Sequence, residues 1–227
     1  MIFNSILKNI KRRYWLRKTT SKVMKDYLSV PFISQNKRIG SIELVSLDIE
    51  TTGLNPETDK ILSIGLVNID GLAIKLDSHW HQYIQHKKNI PGESVVIHQV
   101  TDDISSSGVP IDVAIQELLI RLKGKVVIVH NKTIEQSFIN KACQNLYDTK
   151  FIMPVIDTQF LARRSLSRKG DSVKKNELRL FNLRKKYNLP AYKAHNALYD
   201  AIAAAELFLA MIHDISNEDN AKLFDFM

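Results

Sequence analysis

The 227-residue chain carries 32 Lys and Arg against 24 Asp and Glu, a net charge of +8, with 44% apolar and 25% charged residues. That length suits one well-buried domain with an appendage rather than two enzymatic domains, and the composition excludes a disordered or fibrous chain. The longest uninterrupted apolar run, residues 207–212, is too short to cross a bilayer, and the single cysteine, Cys143, excludes an internal disulfide framework.

One cysteine and the lack of an apolar signal core after Lys8 point to a reducing, cytoplasmic setting, although the acid-poor N-terminus also has the composition of an organellar transit peptide. The charge is unevenly placed: residues 1–40 and 163–193 are each net +9, while 41–162 and 194–227 are each net −5. Clustered Lys and Arg suit a phosphate backbone; a solvated surface accounts for a charge run equally well. In chain order, Phe3, Ile6, Leu7, Ile10 and Tyr14 recur at helical spacing among lysines and arginines. Residues 1–40 therefore read as a basic amphipathic N-terminal extension suited to nucleic acid, a lipid surface or a protein partner. The core is expected to begin near Ser41. A β-prone run over 42–49 leads into turn-rich residues 51–58, and strands over 61–69 and 72–84 are joined at the hairpin signal Asp70-Gly71. A helix over 111–122, an apolar strand over 126–129, a helix over 133–146 and a short strand over 154–156 follow. Beyond them come a basic loop over 163–175, helices over 177–187 and 196–212, and a short acidic C-terminal tail over 216–227. Antiparallel strands followed by buried parallel ones with helical crossovers make residues 41–215 an α/β domain with a mixed sheet.

Three segments carry candidate chemistry. Asp48 and Glu50 alternate in a strand, so both carboxylates face one side at the carboxyl end of a central strand. Adjacent, partly buried carboxylates repel and lose hydration unless a cation neutralises them, and hard divalent ions prefer such oxygen donors. An Asp-x-Glu pair alone is common. His130-Asn131-Lys132-Thr133-Ile134-Glu135 lies where an apolar strand gives way to a helix, the end of an α/β sheet at which ligands bind. The same residues also suit an ordinary helix start, with Asn131 capping and Glu135 solvated. In the third segment His195 precedes a helix and Asp200 lies about one turn inside it. Ala197, Ala201, Ala204 and Ala205 there allow close approach to the sheet; a capping histidine and a solvated aspartate are the plainer alternative.

In this order the three segments resemble the DEDDh 3'–5' exonucleases of the RNase H-like fold, over roughly residues 42–213. Asp48-Ile49-Glu50-Thr51-Thr52-Gly53-Leu54 resembles the first exonuclease motif, Ile97-His98-Gln99-Val100-Thr101 a conserved family element, residues 130–139 the second motif and residues 195–200 the third. The resemblance implies a five-stranded mixed sheet flanked by helices, and two Mg²⁺ or Mn²⁺ ions held by Asp48, Glu50 and Asp200, with Glu135 acting directly or through water. It implies His195 as general base, imidazole being the side chain that titrates near neutrality. It also implies contacts to the terminal nucleotide from Thr51, Thr52, Leu54, His98 and Asn131. The substrate is expected to be DNA, in proofreading or repair, with RNA or a catalytically weak nucleic-acid or polymerase-binding role as alternatives. Residues 1–40 are a candidate site for a polymerase or other partner. One departure stands out: Glu135 occupies the position where the family carries aspartate.

Overall fold

The computed structural model describes residues 2–86, 107–168, 174–216 and 220–227. Alternation of side chains builds the sheet from its middle outward. β1 (Leu44–Thr51) pairs antiparallel with β2 (Ile61–Asp70), which turns into β3 (Ala73–Tyr83). The two-residue turn needs positive φ at both positions, and Gly71 (+56°) and Leu72 (+61°) adopt it. On its other side β1 pairs in parallel with β4 (Val126–Val129), which pairs in parallel with β5 (Val155–Asp157). The order is β3-β2-β1-β4-β5, so β1 is central and the expected mixed five-stranded sheet is present.

Along β4, Val126 and Ile128 enter one core cluster and Val127 and Val129 the other, as a strand buried on both faces requires. One face is covered by α3 (Ile111–Leu122) and α4 (Lys132–Tyr147), through Ile115, Leu118, Leu119, Phe138, Ile139 and Cys143. The other is covered by α5 (Thr158–Arg168), α6 (Leu180–Lys186) and α7 (Ala197–Ile215), through Leu161, Leu183, Phe208 and Met211.

The core reaches further toward both ends than the pattern suggests. Besides α1 (Ile2–Lys18) there is an unpredicted α2 (Lys22–Ser29), whose Met24, Tyr27 and Leu28 are buried in the α3/α4 cluster. Four apolar residues in eight give too short a signal to read. Arg12 donates to the Leu28 carbonyl and joins α1 to α2. The Thr19 and Thr149 hydroxyls meet at 2.6 Å, and Tyr27 Oη donates to the Ile152 carbonyl at 2.9 Å. At the other end Ala221, Leu223 and Phe226 are buried, Phe226 meeting Phe208 edge-on at 5.4 Å, so the end of the presumed acidic tail is part of the core. The supposed basic loop starts as helix: Arg163, Arg164 and Arg168 lie on α5, which Leu161, Ala162 and Leu166 bury, while residues 169–173 lie outside the described residues. The helix expected over 177–187 is a 3₁₀ turn (Lys175–Leu178) followed by α6.

Candidate active site

Val45, Leu47 and Ile49 of β1 point into the α3/α4 core, so Ser46, Asp48 and Glu50 face α7. Ser46 Oγ donates to the Ala201 carbonyl at 2.7 Å, tying the strand to that helix. Across the sheet Asp48 is opposite Gly65, and a Cβ on Gly65 would lie 2.2 Å from Leu198 N and 2.3 Å from Ala197 C. The first turn of α7 thus rests on bare β2 backbone, and buried Ala197, Ala201 and Ala204 continue the close approach. This carries Asp200 to β1: a carboxylate oxygen from each of Asp48, Glu50 and Asp200 lies within 4.8 Å of the others. Glu50 and Asp200 are buried and Asp48 half-buried.

Glu135 projects from the first turn of α4, buried, and its Oε2 has no hydrogen-bond partner among the described residues. Burial pushes the Asp48 carboxyl well above the usual carboxylate range, and the charges of Glu135, Glu50 and Asp200 push it further. Glu135 is raised in the same way, chiefly by burial, against its own backbone N–H and with the charge of Asp157 adding to the rise. Four carboxylates gathered around Asp48, Glu135 among them with an orphaned buried oxygen, form a donor set that a hard divalent cation satisfies. The solvated-acid alternatives for Glu135 and Asp200 do not describe these buried side chains.

The second segment is held by a residue that the sequence marked only as a strand end. Asp157 accepts from the N–H groups of Asn131 and Lys132, both at 3.2 Å, and from Gln159 (3.0 Å) and Phe160 (3.2 Å). One carboxylate therefore caps both α4 and α5. Asn131, in the left-handed region at φ +77°, makes no side-chain cap. An aspartate ending one strand beside two helix starts was the available signal. His130 Nε2 donates to the Leu178 carbonyl at 2.9 Å and Nδ1 meets Thr158 Oγ1 at 2.8 Å, while burial holds its pKa down to about 4. This histidine is a neutral brace.

His195 is exposed, at φ +67°, and its backbone N–H donates to Asp200 Oδ2 at 3.0 Å. Asn196 caps α7, its Oδ1 accepting from Leu198 N and Tyr199 N at 3.1 Å, so the imidazole is not the cap. After β1, Thr51 Oγ1 donates to the Gly53 carbonyl at 2.6 Å, and Thr52 Oγ1 bonds Asp59 at 3.3 Å while accepting from Lys60 N at 3.0 Å. Both hydroxyls shape the loop. Asp59, overlooked in the sequence, anchors it: a Cβ on Gly53 would lie 2.5 Å from its Oδ2. Leu54 is left 78% exposed at the tip. His98 lies outside the described residues.

Residues 45–208 match the RNase T exonuclease family. The chain is 28% identical over 191 residues to the PolC-type DNA polymerase III of Thermotoga maritima, covering 84% of this chain but only 13% of that polymerase. It is also 28% identical over 171 residues to the DNA polymerase III subunit epsilon of Treponema pallidum, covering 75% of this chain and 77% of that subunit. The fold matches the nuclease domain of 3'hExo, a DEDDh family member, at a TM-score of 0.64 and 15% identity, covering 78% and 95% of the two chains.

Proposed function

The chain belongs to the RNase T exonuclease family as a DEDDh 3'–5' exonuclease, and from that premise we propose that it shortens DNA from its 3' end by two-metal hydrolysis, releasing nucleoside 5'-monophosphates. The observation that carries this reading is the convergence of Asp48, Glu50 and Asp200 within 4.8 Å beside buried Glu135. Asp48, Glu50 and Asp200 would hold the Mg²⁺ or Mn²⁺ ions, whose charge would relieve the repulsion that Asp48 meets from all three neighbours. Glu135 offers its orphaned Oε2, which supports glutamate as a working replacement for the family aspartate. When bound, such a pair of ions activates water for in-line attack and stabilises the leaving 3' oxygen.

The remaining steps belong to the protein. His195 takes the proton of the attacking water, its exposed position admitting substrate and its backbone bond to Asp200 anchoring the residue next to that carboxylate. Exposed Leu54 stands against the terminal base, and the side chain of Asn131, not used as a cap, is available to the backbone. The loop that Thr51 and Thr52 shape presents Leu54. DNA is favoured over RNA because the relatives named above are DNA polymerase III proteins; work beside a polymerase follows as part of the same proposal. Digestion of 5'-labelled single-stranded DNA and RNA with Mg²⁺ or Mn²⁺ tests the reading. A ladder shortening from the 3' end, absent with EDTA and in Asp48→Asn, is expected, with DNA cut faster. Folded protein that cuts neither polymer would sink it.

A further inference from the structure

Apart from the acidic cluster, a groove of about 790 Å³ runs between α1 and α4. Lys8 and Lys11 line it from α1, Lys132 from the first turn of α4 and Lys150 from the segment beyond that helix, and among the described residues no Asp or Glu lines it. Among the described lining residues the four lysines face no carboxylate, so the groove suits an anion. The α4 wall offers amides and hydroxyls from Thr133 to Gln144, a track of about 16 Å at 1.5 Å per residue. It begins on the helical turn that carries Glu135 into the acidic cluster. Tyr14 stands on the opposite wall with its ring 57% exposed.

The walls are fixed. Arg12 to the Leu28 carbonyl, Thr19 to Thr149 and Tyr27 to the Ile152 carbonyl lock α1 and α2 onto the body that carries α4. Burial, and secondarily the charge of Lys132, lower Lys8 to about 8, so two ammonium groups oppose one another where no protein carboxylate relieves them. On the outer side of α1, Arg13, Arg17 and Lys18 continue the basic surface beside Tyr14.

We propose that this groove holds the phosphodiester backbone of the single strand leading to the acidic cluster, with Tyr14 stacking on a base. The proposal rests on the exonuclease reading and adds a binding track built by the N-terminal helices. A concave, donor-lined groove suits a polyanionic strand better than a lipid surface, which takes an exposed helix face.

The test uses the full chain and the triple variant Lys8→Gln, Lys11→Gln, Lys132→Gln, with circular dichroism as the folding control. Anisotropy of a fluorescent single strand of about 20 nucleotides is followed in EDTA against salt, where about 0.7 counterions are released per neutralised phosphate. The variant is expected to bind about tenfold or more weakly, with a salt slope lower by about 2. Tyr14→Ala is expected to weaken binding roughly fivefold with the slope unchanged, as stacking loses no counterions. In Mg²⁺, the ratio of kcat/KM for the strand to that for the p-nitrophenyl ester of thymidine 5'-monophosphate is expected to fall about tenfold, since the ester is too small to reach the groove. Unchanged affinity and slope in the triple variant overturn the proposal. So does lost binding to phosphatidylglycerol vesicles with DNA binding intact, which assigns the lysines to a lipid surface. An equal fall for ester and strand also overturns it, by placing the lysines in the catalytic site. Because binding is read without metal, failure of the wild type to hydrolyse either substrate counts against the exonuclease reading alone.

Discussion

Asp48 concentrates the electrostatic cost of the site. Its folded pKa is raised, so its contribution to the stability of the metal-free protein is present below the ordinary carboxylate pKa and is lost as pH rises through the folded value. Without metal at pH about 7.5, Asp48→Asn should therefore be the more stable protein, by on the order of 2 kcal/mol, with the gap closing toward pH about 4. Saturating Mg²⁺ should reverse the order, because only the wild type keeps the full donor set. Thermal unfolding in EDTA and in Mg²⁺ at both pH values decides it; a wild type that is more stable in EDTA at neutral pH contradicts the repulsion argument. His130 has the opposite sign. Its pKa is held down to about 4, so the brace is intact above the unfolded value near 6.5 and weakens as pH falls from there. The loss should approach 3 kcal/mol, roughly, at pH about 4 and be absent from His130→Gln, read as the pH dependence of the urea unfolding free energy. The carboxylates of the site were legible in the sequence through the joint order and spacing of three segments, since Asp48 and Glu50 alternating in a strand are a weak signal alone and Glu135 and Asp200 each suit an ordinary helix start. Asp157 and His130 were less so, because their roles depend on helix starts and a carbonyl brought together only by the fold.

At the scale of elements, the site depends on how closely α7 approaches the sheet. Gly65→Ala would place a methyl 2.2 Å from the backbone nitrogen of Leu198, which no side-chain rotation relieves. The first turn of α7 must lift and take Asp200 with it. A cost of about 1–3 kcal/mol is expected, together with a fall in Mg²⁺ affinity of about tenfold or more, read as loss of the metal-induced rise in Tm. Unchanged metal affinity would mean that the helix contact and the carboxylate geometry are independent. The segment leading to His195 is held by buried Arg184, which donates to the carbonyls of Ala203 (2.8 Å) and Pro190 (2.7 Å) and pairs with Glu206 at 2.7 Å. Tyr192 closes the bracket, its ring 4.7 Å from the guanidinium and its hydroxyl on Glu206 at 2.8 Å. Arg184→Leu removes the charge paired with Glu206 and the side-chain donor to both carbonyls and should cost about 3–5 kcal/mol in chemical denaturation. A cost near zero would show that the bracket does not hold the segment. Strong periodicity made β1 to β4, α3, α4 and α7 readable in the sequence. Helices α2 and α5 were not, since α2 is eight residues long and the arginines of α5 suggest loop until Leu161 and Leu166 are seen to bury.

Across the whole molecule the N-terminal 40 residues divide differently from their charge pattern. The basic residues made the segment look like an appendage, and by composition alone its removal should spare turnover of a short oligonucleotide. Yet Met24, Leu28 and Ile39 are fully buried and Tyr27 nearly so, spread over both core clusters. At about 1.5–3 kcal/mol for each large buried apolar side chain, deletion of residues 1–38, which removes Met24, Tyr27 and Leu28 but not Ile39, takes on the order of 5 kcal/mol from the fold, a large share of a typical domain's stability. Deletion of residues 1–17 ends before Thr19, leaves α2 seated, and removes Lys8, Lys11 and Tyr14 from the groove. The shorter deletion should therefore keep a cooperative unfolding transition with Tm lowered modestly, and lose affinity for a long strand. The longer one should unfold at a far lower temperature or fail to fold. Differential scanning calorimetry of the two truncations beside the full chain separates these outcomes. Equal, small Tm changes would show that the segment is an appendage after all, whereas collapse of both would extend the folding unit through α1 to the start of the chain.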